Sequence, residues 1–576
     1  MPPKPARYDA ASVRLGFVRG GEHPRGVAWY GARSFWGHLR HLAASAIATE
    51  DIDSRDWMTP DDPQELVLRI AAELGSTRGA RTLTEALGRD VWVDYLADTG
   101  DDVSVSRAVA RLVFSDYELP DPARPDATLQ APRGDILLFG GDTAYPVATA
   151  DEIRSRVIVP FNQVLAEVPR DRPRVLLGIP GNHDWYDGLD GFGRMFRRQF
   201  GSGRSPQVTL TDQRRTRIDQ YADFARQFVL GGHVKKPSTL ELLGYAPVQN
   251  ASYFALPVAP AIGLLGVDRQ LKEVDARQRH FFQAWLSHHL GLSPWVLLPD
   301  PVHPFGEPSP SGTGMLGALG LTLTARPHFV LSGDIHHYRR ETEGPTLHVT
   351  AGGGGAFLHP APIRRTGRPA DVEFPTAPQS RALLPSAPVR IMLGRAGFLP
   401  HFALGAVLAP AAELAAAHPP AMSDWVALGG TGLVIGFAYA LLGGLRRGRL
   451  AVLGLAILGA MATAPLPIVS GHLMRILGRE LHAHVPFWAL GALGVVLASF
   501  GAAFVFGAFL AALTALGLER TQAFTALDHP GFKHFVRLRV RADGTGIDGW
   551  CLGLVDPLAK DEQPVVVDTF SWNARR

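Results

Sequence analysis

Cysteine is almost absent. The 576-residue chain has one, Cys551, which excludes an intramolecular disulfide framework and fits a reducing compartment. An excess of one charge sign is absent too: 57 Lys plus Arg against 54 Asp plus Glu leave a net +3. Nothing in that balance calls for nucleic acid. The opening residues, "MPPKPARYDAASVRLGF", lack the long apolar core of a signal peptide. The most informative lack is local. Residues 425–445, 450–471 and 487–518 contain no Asp, Glu, Lys or Arg.

A membrane span needs about 20 apolar residues at roughly 1.5 Å rise each, and all three uncharged stretches are long enough. A weaker fourth stretch, 396–416, is interrupted by His401 and Glu413. Basic loops favour the cytoplasmic side. The run "RRGR" at 446–449 and the segment with Arg390 and Arg395 agree in sidedness only if 396–416 also spans. The expectation is four helices within 386–520, both ends cytoplasmic, with "HLMRILGRELHAH" (472–484) on the far side. His401, His472, His482 and His484 show no ligand spacing within one span.

A chain of this length exceeds one ordinary core, so several domains are expected. Residues 1–85 read as an N-terminal extension, with a helix over 34–52. Residues 86–385 form the main domain, with an insertion or lid at about 188–245 and a linker at 360–390. After 520 soluble character returns, and "FKHFVRLRVRADGTGIDGWCLGLVD" alternates around Asp-Gly, a hairpin signal. The 521–576 segment is expected to dock on the main domain.

In that domain six stretches share one form, an apolar run of strand length ending in a polar cluster: "VWVDYLADTGDD", "GDILLFGGDTAYP", "RVLLGIPGNHD", "AIGLLGVDRQL", "PWVLLPDPVHP" and "HFVLSGDIHHY". Continuous apolar runs suggest buried strands of an α/β fold, and polar ends suggest a site along one sheet edge. Each cluster alone is weak, since Gly-Asp after a strand is usually a turn. Their succession is informative. Asp98, Asp142 and Asn182-His183 follow at spacings of 44 and 40 residues, and Asp334 and His336 close a later run. Hard oxygen donors and imidazoles so arranged suit a site with two divalent ions about 3.5–4 Å apart.

"GGDTAYP", "GNHDWYDG" and "SGDIHHY", in that order, resemble the motifs of the calcineurin-like metallophosphoesterase superfamily over residues 90–360. The resemblance implies a four-layer α/β sandwich with two metals (Mn, Fe, Zn or Mg) at the strand ends. It implies that Asp142 bridges both ions, that Asn182 binds the second, and that His183 stabilises or protonates the leaving oxygen. Asp184 would hold the His183 imidazole in its tautomer. Asp98 would ligate the first ion.

Two positions depart from that pattern. Gly100 stands where the family usually has histidine, with Asp101 as a compensating candidate, and Asp334 stands where it has the first histidine of Gly-His-x-His. His336 keeps its place, and His337 is a spare imidazole. The mid-chain ligand is His303 or Asp300. The glycines of "HVTAGGGGAFLHP" (348–360) would let backbone approach the site or a bound phosphate, with His359 facing the site or a structural partner. The implied activity is metal-dependent hydrolysis of a phosphate ester at the membrane. Its alternative is a catalytically weak binding or sensing module that kept the fold.

Overall fold

The computed structural model describes residues 2–13, scattered residues within 15–39, and residues 59–198, 239–444, 448–480 and 485–574. Residues 170, 271–272, 324–325 and 365–366 are excepted. Of the expected helix at 34–52, residues 34–36 and 39 are described and helical; its remainder and the centre of the expected lid at 188–245 lie outside the described residues.

The chain builds two mixed sheets. In the eight-stranded sheet the order is Ala6–Arg7, Val565–Asn573, Gly546–Leu554, Lys533–Val540, Val91–Leu96, Ile136–Phe139, Arg174–Gly178 and Tyr245–Pro247. In the seven-stranded sheet it is Val372–Phe374, Tyr338–Glu343, Thr346–Ala351, Phe329–Ser332, Ser293–Leu298, Ile262–Gly266 and Phe254–Ala259. The apolar runs are the parallel strands of both sheets.

Strands buried on both faces need apolar residues at every position, and Val91–Leu96 is buried throughout. Its alternate residues enter different cores. Val93 and Tyr95 join a core that also holds Trp295, Leu297, Phe329 and Leu331 of the other sheet, whereas Trp92 and Leu96 pack with helical Val105, Val109 and Phe161. The helix Val103–Val113 starts where the Asp102 carboxylate accepts from the Ser104 and Val105 amides, an N-cap that satisfies otherwise orphaned donors.

The C-terminal segment does more than dock. Lys533–Val540 and Gly546–Leu554 form the expected hairpin, and Lys533–Val540 pairs antiparallel with Val91–Leu96. The N-terminal strand Ala6–Arg7 in turn pairs with Val565 and Val566. Residues 533–573 are therefore inside the first sheet, and a piece ending at 385 would leave Val91–Leu96 as an unpaired edge. The expected linker at 360–390 is also structured, with strand Val372–Phe374 and helices Ala377–Leu383 and Ala387–Met392.

Between the two sheet segments the chain forms four helices long and apolar enough to cross a membrane: Leu399–Ala417, Met422–Leu442, Arg449–Glu480 and Phe487–Ala515. The third breaks its regular path at Ala464, before Pro465. It continues to Glu480, so most of the expected far-side loop 472–484 is helical. Leu433, Phe437, Leu450 and Met461 stand exposed on these helices, an apolar surface that fits a membrane protein. The two ends of the insertion meet, since the rings of Phe374 and Phe532 are 5.1 Å apart. An even number of crossings is the topology that returns the chain to its starting side.

Candidate metal centre

The site forms where neighbouring parallel strands end. Asp98 lies two residues beyond Leu96, Asp142 three beyond Phe139, Asn182 four beyond Gly178, Asp300 two beyond Leu298 and Asp334 two beyond Ser332. Asp98, Asp142 and Asp334 have φ of 59°, 50° and 66°. That left-handed region is tolerated by aspartate and costs energy, so the surrounding structure must impose it. Main-chain bonds do so: the Asp98 amide donates to Gly141 and the Thr99 amide to Asp142.

Several glycines are small because the carboxylates need their space. A Cβ on Gly352 would lie 2.5 Å from Asp98 Oδ2, one on Gly333 2.8 Å from the same atom, and one on Gly181 2.1 Å from Asp142 Oδ1. Gly352 opens the four-glycine run, which therefore brings backbone against the site. At Gly100 φ is +65° and a Cβ would lie 2.9 Å from the Ala144 Cα, so no histidine fits there. Asp101 does not compensate. Its carboxylate accepts from the Val27 and Phe357 amides at 2.6 and 3.1 Å.

At the middle is Tyr145, part of "GGDTAYP" but not a residue the motif assigns a role. Its hydroxyl is 2.9 Å from Asp98 Oδ1, 3.3 Å from Asp142 Oδ2 and 3.1 Å from His336 Nε2. His336 Nδ1 faces the Phe357 carbonyl at 2.8 Å, which makes Nδ1 the protonated nitrogen and leaves a lone pair on Nε2. Two carboxyl oxygens and an imidazole lone pair thus surround one hydroxyl. His336 Nε2 is itself 3.4 Å from Asp98 Oδ1, and its ring stacks on His359 at 4.0 Å. His359 Nδ1 accepts from the His336 amide, a positioning contact.

The electrostatics follow from this crowding. Burial pushes the Asp98 carboxyl up to about 8. Burial and the neighbouring Asp98, Asp184 and Asp334 raise Asp142 well above the carboxylate range; desolvation, Asp300 and Asp98 do the same to Asp334. Burial holds the His336 imidazole down at about 3 and the Lys533 ammonium at about 7. The Lys533 ammonium donates to the Ala356 carbonyl of the glycine-run segment.

Asn182 donates from Nδ2 to the Tyr186 hydroxyl at 3.2 Å, so its amide nitrogen is engaged and its oxygen is the acceptor end. His183 is half-buried and joined to Asp142 through its backbone, whose N–H donates to Asp142 Oδ1 at 2.9 Å. Its ring orientation comes from Pro146, whose carbonyl lies 2.7 Å from Nδ1. Asp184 does not take that role. Its buried carboxylate accepts from the Gly181 and Thr143 amides, because the short helix Asn182–Trp185 turns residue 184 back under the strand ends. Burial raises its carboxyl to about 6.

No family model and no curated protein matches the chain. A solved structure titled "GAP50 the anchor in the inner membrane complex of Plasmodium" is similar at 9% identity, over 50% of this chain and 78% of that one, with a TM-score of 0.30. So low a likeness leaves fold and chemistry to the chain's own geometry.

Mid-chain, the two candidates separate. Asp300 acts electrostatically on both Asp98 and Asp334, while its Oδ2 also meets Ser311 Oγ at 2.6 Å and Arg269 at 2.5 Å. The structure does not bring His303 to the carboxylates. Past Asp300 the chain turns away at Pro301–Pro304, and His303 Nδ1 lies 2.6 Å from Glu341 Oε1.

Proposed function

We propose that the chain is a membrane-anchored, metal-dependent phosphoesterase of the calcineurin-like type. The observation that carries this reading is the convergence of ligand-type groups on Tyr145. Two carboxyl oxygens and an imidazole lone pair lie within 3.3 Å of its hydroxyl, and divalent cations would take the place of the protons that burial keeps on the carboxyls. The donor set fits divalent metals of the Mn, Fe, Zn or Mg kind, being carboxylates, one imidazole and one amide oxygen. Asp98, Asp142, Asp334 and His336 with Asn182 would hold the ions, and Tyr145 and Asp300 stand beside this set. Two sheets sharing one core, with helices outside, also support the four-layer sandwich that the motifs imply.

Divalent ions, if held by these residues, would lower the pKa of a water and neutralise charge on a phosphoryl oxygen. The protein supplies the rest. With Nδ1 turned to Pro146, the His183 ring presents Nε2 for a proton to the departing oxygen. Trp29, Tyr145 and Tyr186 hold that ring edge-on at 4.6–6.0 Å. The carboxylates need no reorganisation, because glycine contacts and left-handed turns fix them beforehand.

The domain is assigned to the cytoplasmic face. Gly448, inside the basic run 446–449, packs near Leu518 at the domain end of the fourth helix, and basic loops favour that side. The anchor favours a phosphate ester carried on or near the membrane. The test compares His183→Ala with wild type, as full chains in Mn²⁺, on aryl phosphodiesters of graded leaving-group pKa. The variant should lose about 10²–10⁴-fold on poor leaving groups and far less on good ones. Equal losses across the series would remove the proton-donor role, and no turnover of a phosphodiester or phosphomonoester by wild type would favour a binding module.

A further inference from the structure

We propose a second metal site, for a zinc-class divalent cation, formed by His303, Glu341, Glu343 and His348 apart from the carboxylate cluster. Glu341 and His348 are direct partners in the antiparallel pair Tyr338–Glu343 and Thr346–Ala351. Partners in such a pair project from the same face, and Glu343, two residues on, shares it. His303 is delivered by the loop after Ser293–Leu298. One donor atom each from His303, Glu341 and His348 lies within 4.8 Å of the other two. Glu343 Oε2 closes the group, 3.4 Å from His348 Nε2 and 3.8 Å from His303 Nε2.

Two features make this a site rather than a polar contact. His348 is 5% exposed, and its buried Nε2 has no hydrogen-bond partner, a deficit that a cation would relieve. Each carboxylate is oriented through its other oxygen. Arg339 bonds Glu341 Oε2 at 3.0 and 3.2 Å, and Arg368 pairs with Glu343 Oε1, as outer partners do around metal ligands.

Two imidazoles and two carboxylates suit zinc, with iron, cobalt and nickel as competitors. The Glu343 side chain is 18% exposed and gives the ion a way in. Such a clamp would fix the loop bearing Asp300 to the strands that follow Asp334 and His336, which makes it structural.

The test uses the full chain with Asp142→Asn and Asp334→Asn, so that zinc in the carboxylate cluster does not obscure the reading. The protein is stripped with chelator, loaded with zinc and dialysed. About one zinc should remain per chain, and its X-ray absorption should show a nitrogen and oxygen shell with imidazole scattering at roughly 2.0–2.1 Å. Adding His348→Gln should remove that zinc. Glu343→Gln, at the rim of the site, should weaken zinc at least about tenfold with an unchanged tryptic pattern. Zinc content unaffected by both substitutions, or a folded chain that retains no zinc, would overturn the proposal.

Discussion

Replacing Arg537 by methionine removes the cation of a fully buried ion pair that joins the C-terminal strands to the centre of the first sheet. Arg537 Nε and Nη2 bond the Asp94 carboxylate at 2.6 and 3.0 Å, and its guanidinium also donates to the carbonyls of Val113, Ser115 and Ala131. Both side chains are at most 1% exposed. Removing one partner of such a pair leaves an uncompensated buried charge and costs about 3–5 kcal/mol. That is a large share of a typical total of roughly 5–15 kcal/mol.

The assay is urea unfolding of the detergent-solubilised full chain, read by tryptophan fluorescence. Trp92 and Trp550 stack across the same strands at 5.8 Å, so they report on this region. Lys4→Ala should leave the unfolding midpoint essentially unchanged, because the Lys4–Glu118 pair is 63% and 30% exposed. Adding Asp94→Leu to Arg537→Met should recover part of the loss, since no lone charge then remains. An Arg537→Met chain within about 1 kcal/mol of wild type would refute the integration of 533–573 into the sheet.

Three further outcomes follow from the geometry. Gly352→Ala places a methyl 2.5 Å from Asp98 Oδ2, so kcat should fall by about 10²-fold, as for a displaced catalytic group; an unchanged kcat would contradict the close approach. Tyr145→Phe removes the hydroxyl shared by Asp98, Asp142 and His336 and should change Mn²⁺ retention about tenfold or more in equilibrium dialysis; unchanged retention would place Tyr145 outside the centre. Burial depresses the His534 imidazole to about 3, so between there and its unfolded value of about 6.5 the unfolded chain binds more protons. Stability from this group is complete above about pH 6.5 and is lost on acidification, and wild type should lose ~2 kcal/mol more than His534→Asn between pH 6.5 and 5.

The sequence made the strand ends legible because each apolar run stops at a polar cluster, and Asp98, Asp142, Asn182, Asp334 and His336 follow from that alone. Tyr145 was not legible, since a tyrosine three residues past an aspartate reads as core until the backbone turns its hydroxyl inward. Asp300 and His303 were not separable in "LLPDPVHP", where two prolines decide which side chain faces the site. The role expected of Asp184 went instead to the Pro146 carbonyl, because backbone acceptors leave no trace in sequence. The C-terminal strands were recognisable as a hairpin. Their partner, Val91–Leu96, lies more than 430 residues upstream across a membrane insertion, and no local pattern encodes that pairing.

Metal-dependent hydrolysis at the carboxylate cluster is tested most directly by returning Mn²⁺ to the chelator-stripped full chain while following phosphodiester and phosphomonoester turnover. Asp142→Asn is run alongside as the disarmed centre. The account expects turnover that appears with bound metal, disappears on removing it, and is lost in Asp142→Asn with the fold intact. Metal that binds without turnover, or turnover equal in Asp142→Asn, would contradict it.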